Sequence, residues 1–134
     1  MSVKPGEIVE VSCRIPNDIA KVHMVLVVST DKISEVESGM FYGVMITSNP
    51  SNSEYKLEIK DDMLLKPLSK KSYFATHLMS FFESEDIIKH CSNALKSEEY
   101  LDTVINKIIQ SIFDIELELN SGEIATIASV IKAA

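Results

Sequence analysis

The chain has 134 residues, 46% of them hydrophobic, with four glycines and four prolines, which predicts one folded domain with its own core and excludes a disordered or fibrous chain. The net charge is −7, and Arg14 is the one arginine among thirteen basic residues; this excludes a broadly basic nucleic-acid surface but not a small local basic site. No apolar run approaches the ~20 residues of a spanning helix, and the N-terminal stretch has no signal-like apolar segment, so a cytoplasmic protein without membrane contact is expected.

Residues 7–14 alternate, with Ile8, Val9, Val11 and Cys13 apolar, and predict a first strand. Pro16, Asn17 and Asp18 mark a turn. A second strand is expected over roughly 24–29, with His23 just before it. Residues 31–39 are polar and read as a surface loop. The run from Met40 to Thr47 is rich in β-branched and aromatic residues and predicts a buried third strand. It ends abruptly in Thr47, Ser48, Asn49 and Pro50, a turn that breaks regular structure. A core strand that carries hydroxyls to its own tip is a common way to hold a site.

Residues 54–60 alternate, with Tyr55, Leu57 and Ile59 on one side and charges on the other, a strand with one wet face. Asp61 and Asp62 mark a turn, and Pro67 stops the apolar stretch at 63–65 from continuing as a helix. Residues 72–76 predict another strand followed by His77, 83–86 an acidic turn, and 87–91 a short strand. Ser97 stands as an N-cap before Glu98 and Glu99, where a helix favours negative charge. Leu101, Val104, Ile105, Ile108, Ile109 and Ile112 then recur on one face of a helix running to about Phe113. Residues 115–119 read as a short strand or as the end of that helix, and 123–134 as a last short helix.

The pattern is mainly β with a C-terminal helix. Short twisted strands close on themselves, so a small antiparallel barrel is expected, with Ile8, Val25, Val27, Val44, Ile46 and Leu57 in one shared core. Residues 1–114 are expected to form the barrel with its closing helix, and 115–134 a C-terminal extension. Cys13 and Cys91 are far apart and in no metal-ligand spacing, which favours free thiols over a disulfide and predicts no metal site. Asp61, Asp62 and the acids at 83–86 read as solvated turns.

Several stretches, in this order, resemble the MazF/PemK toxins. They are Pro5 and Gly6 with the strand through Val11, Val25 to Ser29, and Met45 to Asn49. Tyr55 to Lys60, Leu64 to Pro67, the strand after Ser72, Ile87 with Ile88, and the helix after Ser97 complete the order. The similarity spans roughly residues 4 to 113, and the order of these stretches is more specific than any one of them.

The resemblance implies an SH3-like barrel, a homodimer, an antitoxin protein as partner, and a metal-independent endoribonuclease without cofactor. Such an enzyme cleaves single-stranded RNA by attack of the 2′-hydroxyl on the adjacent phosphate, and must move protons and stabilise charge. The family's Arg-Pro pair before the second strand is here His23 and Met24, while its threonine after the third strand is retained as Thr47. His23 and Thr47 are therefore the candidate catalytic pair. Histidine can move protons, but it lacks arginine's permanent charge and bidentate phosphate contact. Arg14, Ser48, Asn49 and His77 are candidate substrate contacts. Arg14 would restore positive charge, though an ordinary surface arginine fits its place equally well. The changed arginine and the acidic charge also admit a second reading, a catalytically silent or gyrase-directed barrel acting through protein–protein binding.

Overall fold

The computed structural model describes residues 3–13 and 21–114. The turn expected at 16–18, Arg14, and the extension at 115–134 lie outside the described residues. Strands β1 (Glu7–Cys13), β2 (Lys21–Val27), β3 (Phe41–Thr47), β4 (Lys56–Glu58), β5 (Tyr73–Phe82) and β6 (Ile87–Ala94) form one antiparallel sheet in the order β4-β5-β3-β2-β1-β6. Helix α1 (Asp31–Val36) joins β2 to β3, and helix α2 (Glu98–Phe113) follows β6.

The barrel is nearly but not fully closed. No ladder joins the edge strands β4 and β6. The chain after β4 instead reaches the end of β6 through a single antiparallel bridge, Leu64 to Leu95. Two backbone bonds flank it, from Leu65 N–H to the Ala94 carbonyl (2.9 Å) and from Lys96 N–H to the Met63 carbonyl (2.8 Å). Asn93 reinforces the seam. Its side chain accepts from Lys66 N–H (2.9 Å) and donates to the Lys66 carbonyl (2.8 Å), as a strand's backbone would.

The core is two layers rather than the single shared one expected. Ile8, Leu26, Val44, Phe74, Val104 and Ile108 pack between the sheet and α2, with Ile46 and Leu57 against them. Val25 and Val27 point to the other face, with Val9, Val11, Phe41, Met45 and Phe82. Period-two alternation sends neighbouring side chains to opposite faces, and these central strands are buried on both.

Four local expectations are corrected. Residues 31–36 form α1, not a loop; its Ser34 is buried, with the hydroxyl donating to the Met40 carbonyl (3.1 Å). The strand expected over 54–60 shrinks to Lys56–Glu58, because Ser53–Tyr55 and Asp61–Met63 wind into 3₁₀ turns. β5 continues past Thr76 to Phe82, and β6 past Cys91 to Ala94. Ser97 sits at the N-cap with extended backbone, yet its side chain makes no capping bond. Helix α2 otherwise matches its periodicity: Leu101, Val104 and Ile108 are buried, while Ile112 and Phe113 at its end are exposed.

Candidate functional site

The β2–β3 ladder pairs Val27 with Gly43, Leu26 with Val44 and Val25 with Met45, and there it stops. Both strands go on. β2 extends back to Lys21, held by β1 through His23–Val11 and Lys21–Cys13. β3 extends to Thr47, held by β5 through Ile46–Phe74 and Thr47–Tyr73. Each strand is thus secured from its outer side while the inner sides part. Continuing the register by two residues sets His23 level with Thr47 across this gap, both on the face of Val25 and Met45. β2 begins three residues before the expected Met24, so His23 belongs to the strand and not to a loop.

His23 is half-buried, and its ring Nε2 is shielded from solvent with no hydrogen-bond partner among the described residues. A buried ring nitrogen without a partner is costly. Thr47 is half-buried at the end of β3. Its Oγ1 accepts from Asn49 N–H at 3.1 Å, and the Asn49 side-chain oxygen accepts from Ser51 N–H at 2.9 Å. These are two successive side-chain turns of the kind Thr and Asn favour. The Thr47 hydroxyl keeps its hydrogen, which has no acceptor among the described residues and can be donated to a bound oxygen.

Ser48 and Asn49 are exposed on the same loop. The loop is tied from beneath by Lys56, the first residue of β4, whose Nζ donates to the carbonyl of Asn49 (2.7 Å) and to that of Ser51. Sequence reasoning missed this: alternation placed Lys56 among charges on a wet face. The tether depends on Asn52 entering the left-handed region (φ 58°), which folds the chain back so that Lys56 lies under the turn.

His77 sits elsewhere. Val44 pairs with Met79 but Met45 with Ala75, so Thr76, His77 and Leu78 form a bulge in β5 with no counterpart in β3. The bulge lies on the flank of β3 away from β2. There the His77 ring packs on Tyr55, centroids 5.2 Å apart, with Nδ1 unpartnered among the described residues. The structure thus sets His23 level with Thr47, keeps Ser48 and Asn49 beside Thr47, and places His77 behind the loop next to the residue preceding Lys56.

A groove of about 620 Å³ runs at the other end of β4, lined among others by Glu58, Lys60, Asp61, Asp62, Lys70 and Lys71. It contains none of the candidate residues, and its charges offset one another, as in the Lys71–Glu58 pair at 3.7 Å. Neither Cys13, which is buried, nor Cys91, which is half-buried, is in a disulfide. Among the described residues no three His, Cys, Asp or Glu side chains cluster as metal ligands, and no helix is long and apolar enough to cross a membrane.

A family model described as PemK-like, MazF-like toxin of type II toxin–antitoxin system matches residues 4–112. Among solved structures, the fold is similar to MazF (form I) from Deinococcus radiodurans, with TM-score 0.61 at 14% identity over 82% of this chain and 96% of that one. It is likewise similar to the Mycobacterium tuberculosis toxin MazF-mt6, with TM-score 0.59 at 11% identity over 83% of this chain and 99% of that one. No curated protein matches the sequence.

Proposed function

Since the chain belongs to the PemK-like, MazF-like toxins of type II toxin–antitoxin systems, we propose that it is a metal-independent endoribonuclease acting on single-stranded RNA in the cytoplasm. The observation that carries this reading is the parting of β2 and β3, which leaves His23 and Thr47 level with each other across an unpaired gap. The phosphate binds in that gap. The substrate's 2′-oxygen attacks phosphorus, the 5′-oxygen of the next nucleotide leaves, and a 2′,3′-cyclic phosphate remains.

His23 takes the proton from the 2′-hydroxyl or returns one to the leaving oxygen, a service worth about 10²–10⁴-fold in rate. Its buried, unpartnered Nε2 suits the role. Thr47 donates its O–H to a non-bridging phosphate oxygen, where charge grows in the transition state. Ser48 and Asn49 contact the flanking backbone of the RNA from the same loop. Arg14 and His77 are assigned to outer nucleotides: Arg14 follows β1, the strand that pairs with His23, and His77 lies behind the 47–56 loop.

The protein is further proposed to act as a homodimer and to be neutralised by an antitoxin protein. The exposed Tyr42–Phe81 stack and the exposed Ile112 and Phe113 favour such protein contacts. Residues 115–134 lie beyond the family match.

The test is incubation of the purified protein with a long RNA in EDTA, with the ends of any fragments mapped. Cuts that leave cyclic phosphate and are lost in Thr47→Ala support the reading. A protein that cuts nothing, with His23→Arg restoring nothing, favours the silent or gyrase-directed alternative, which rests on the histidine standing where the family carries arginine.

A further inference from the structure

We propose that Lys56 is the positioning residue of the phosphate site: its ammonium holds the Thr47–Asn49 turn in shape and places a permanent positive charge beside it. The substrate named here rests on the ribonuclease reading; the loop geometry does not.

The bonds form a closed set. Thr47 Oγ1 accepts from Asn49 N–H (3.1 Å), Asn49 Oδ1 accepts from Ser51 N–H (2.9 Å), and Lys56 Nζ donates to the carbonyls of Asn49 (2.7 Å) and Ser51. Pro50 has no N–H to contribute. The backbone N–H and C=O groups of Asn49 and Ser51 are therefore used within the turn, on Thr47, Asn49 and Lys56. A free surface lysine samples many rotamers; this one is half-buried and pinned at two carbonyls. An ammonium has three donors, and among the described residues Lys56 spends its bonds on these two carbonyls, leaving a third N–H and the full charge.

The charge matters because of what surrounds it. The chain carries −7 overall, and His23 is positive only when protonated. Neither offers a polyanion a fixed cation at the gap. Lys56 offers one at the loop that follows Thr47, the residue whose hydroxyl would face the phosphate. Because its position is set by two carbonyls before substrate arrives, the charge is preorganised.

The test separates the loop from the charge. Amide exchange at Asn49 and Ser51 in the free protein should speed up at least about fivefold in Lys56→Met, with the central strands unchanged. An uncleavable 2′-O-methyl oligonucleotide, bound at a series of salt concentrations, should bind Lys56→Met on the order of tenfold more weakly. The slope of log affinity against log salt should fall by about 0.7, the value of one phosphate contact on a single strand. Lys56→Gln, which keeps N–H donors but no charge, should lose the slope as fully as Lys56→Met, and Lys56→Arg should keep it. A merely structural lysine leaves the slope alone. Unchanged exchange, or affinity and slope equal to wild type in both neutral variants, overturns the proposal, and so does a wild type that does not bind the oligonucleotide. A wild type that binds it with the expected lysine dependence but cuts no RNA overturns the ribonuclease reading and leaves Lys56 in its role.

Discussion

Thr76 and Ser111 join the bulge of β5 to the last turn of α2, hydroxyl to hydroxyl at 2.7 Å. Thr76 is fully buried and also donates to the carbonyl of Tyr55 at 2.7 Å, so its single hydrogen is spent there and Ser111 is the donor of the pair. One threonine thus links β5, the turn before β4, and the helix. Thr76→Val takes a partner from the Tyr55 carbonyl and from the Ser111 hydroxyl and should cost about 1 kcal/mol. Ser111→Ala should cost less, because Thr76 keeps its bond to Tyr55. Urea unfolding of both single variants and the double checks this, with a double-mutant loss smaller than the sum of the singles.

The seam of the barrel offers a second test. Asn93 holds both backbone groups of Lys66, next to the bridge between Leu64 and Leu95. Asn93→Ala removes both bonds to Lys66 and a third, accepted from Ala94 N–H (3.0 Å), and should destabilise the fold by about 2 kcal/mol. Amide exchange should quicken at Leu65 and Lys66 before it does in β2 or β3, whose pairing does not depend on the seam.

Cys91 supplies a prediction with a sign. Burial, and then the negative charge of Glu10, push its thiol above the usual cysteine range. Less thiolate is present at any given pH, so alkylation by iodoacetamide at neutral pH should be slower than that of a free thiol. Glu10→Gln should speed it. The folded state favours the protonated thiol, so this contribution to stability is fully present below the unfolded thiol's pKa. It is lost as pH rises from there through the folded value.

At the site, His23→Ala should lower RNA cleavage about 100-fold and His23→Arg should preserve or raise it. Thr47→Ala should reduce cleavage while leaving the melting temperature nearly unchanged, because the residue ends its strand half-exposed and fills no core.

What the sequence by itself determined is whatever repeats at short range. The 3.6-residue recurrence of Leu101, Val104 and Ile108 located α2, and the β-branched and aromatic run from Phe41 to Thr47 located β3 with its hydroxyl tip. The order of these elements pointed to the MazF-like toxins, and the family match bears this out. Tertiary structure decided the rest, because pairing is a property of two segments and not of one. That β2 begins at Lys21 follows from its ladder with β1; its own residues Lys21, Val22 and His23 alternate too weakly to show it. That β2 and β3 part after Val25–Met45 depends on β1 and β5 holding them from outside. The bulge at Thr76–Leu78 is visible only against β3, since the segment alone shows a strand over 72–76 and nothing of the register it keeps beyond. Lys56 reaches the turn after Thr47 because Asn52 turns the chain back, and a charged residue in an alternating stretch gives no sign of which carbonyls its ammonium will meet.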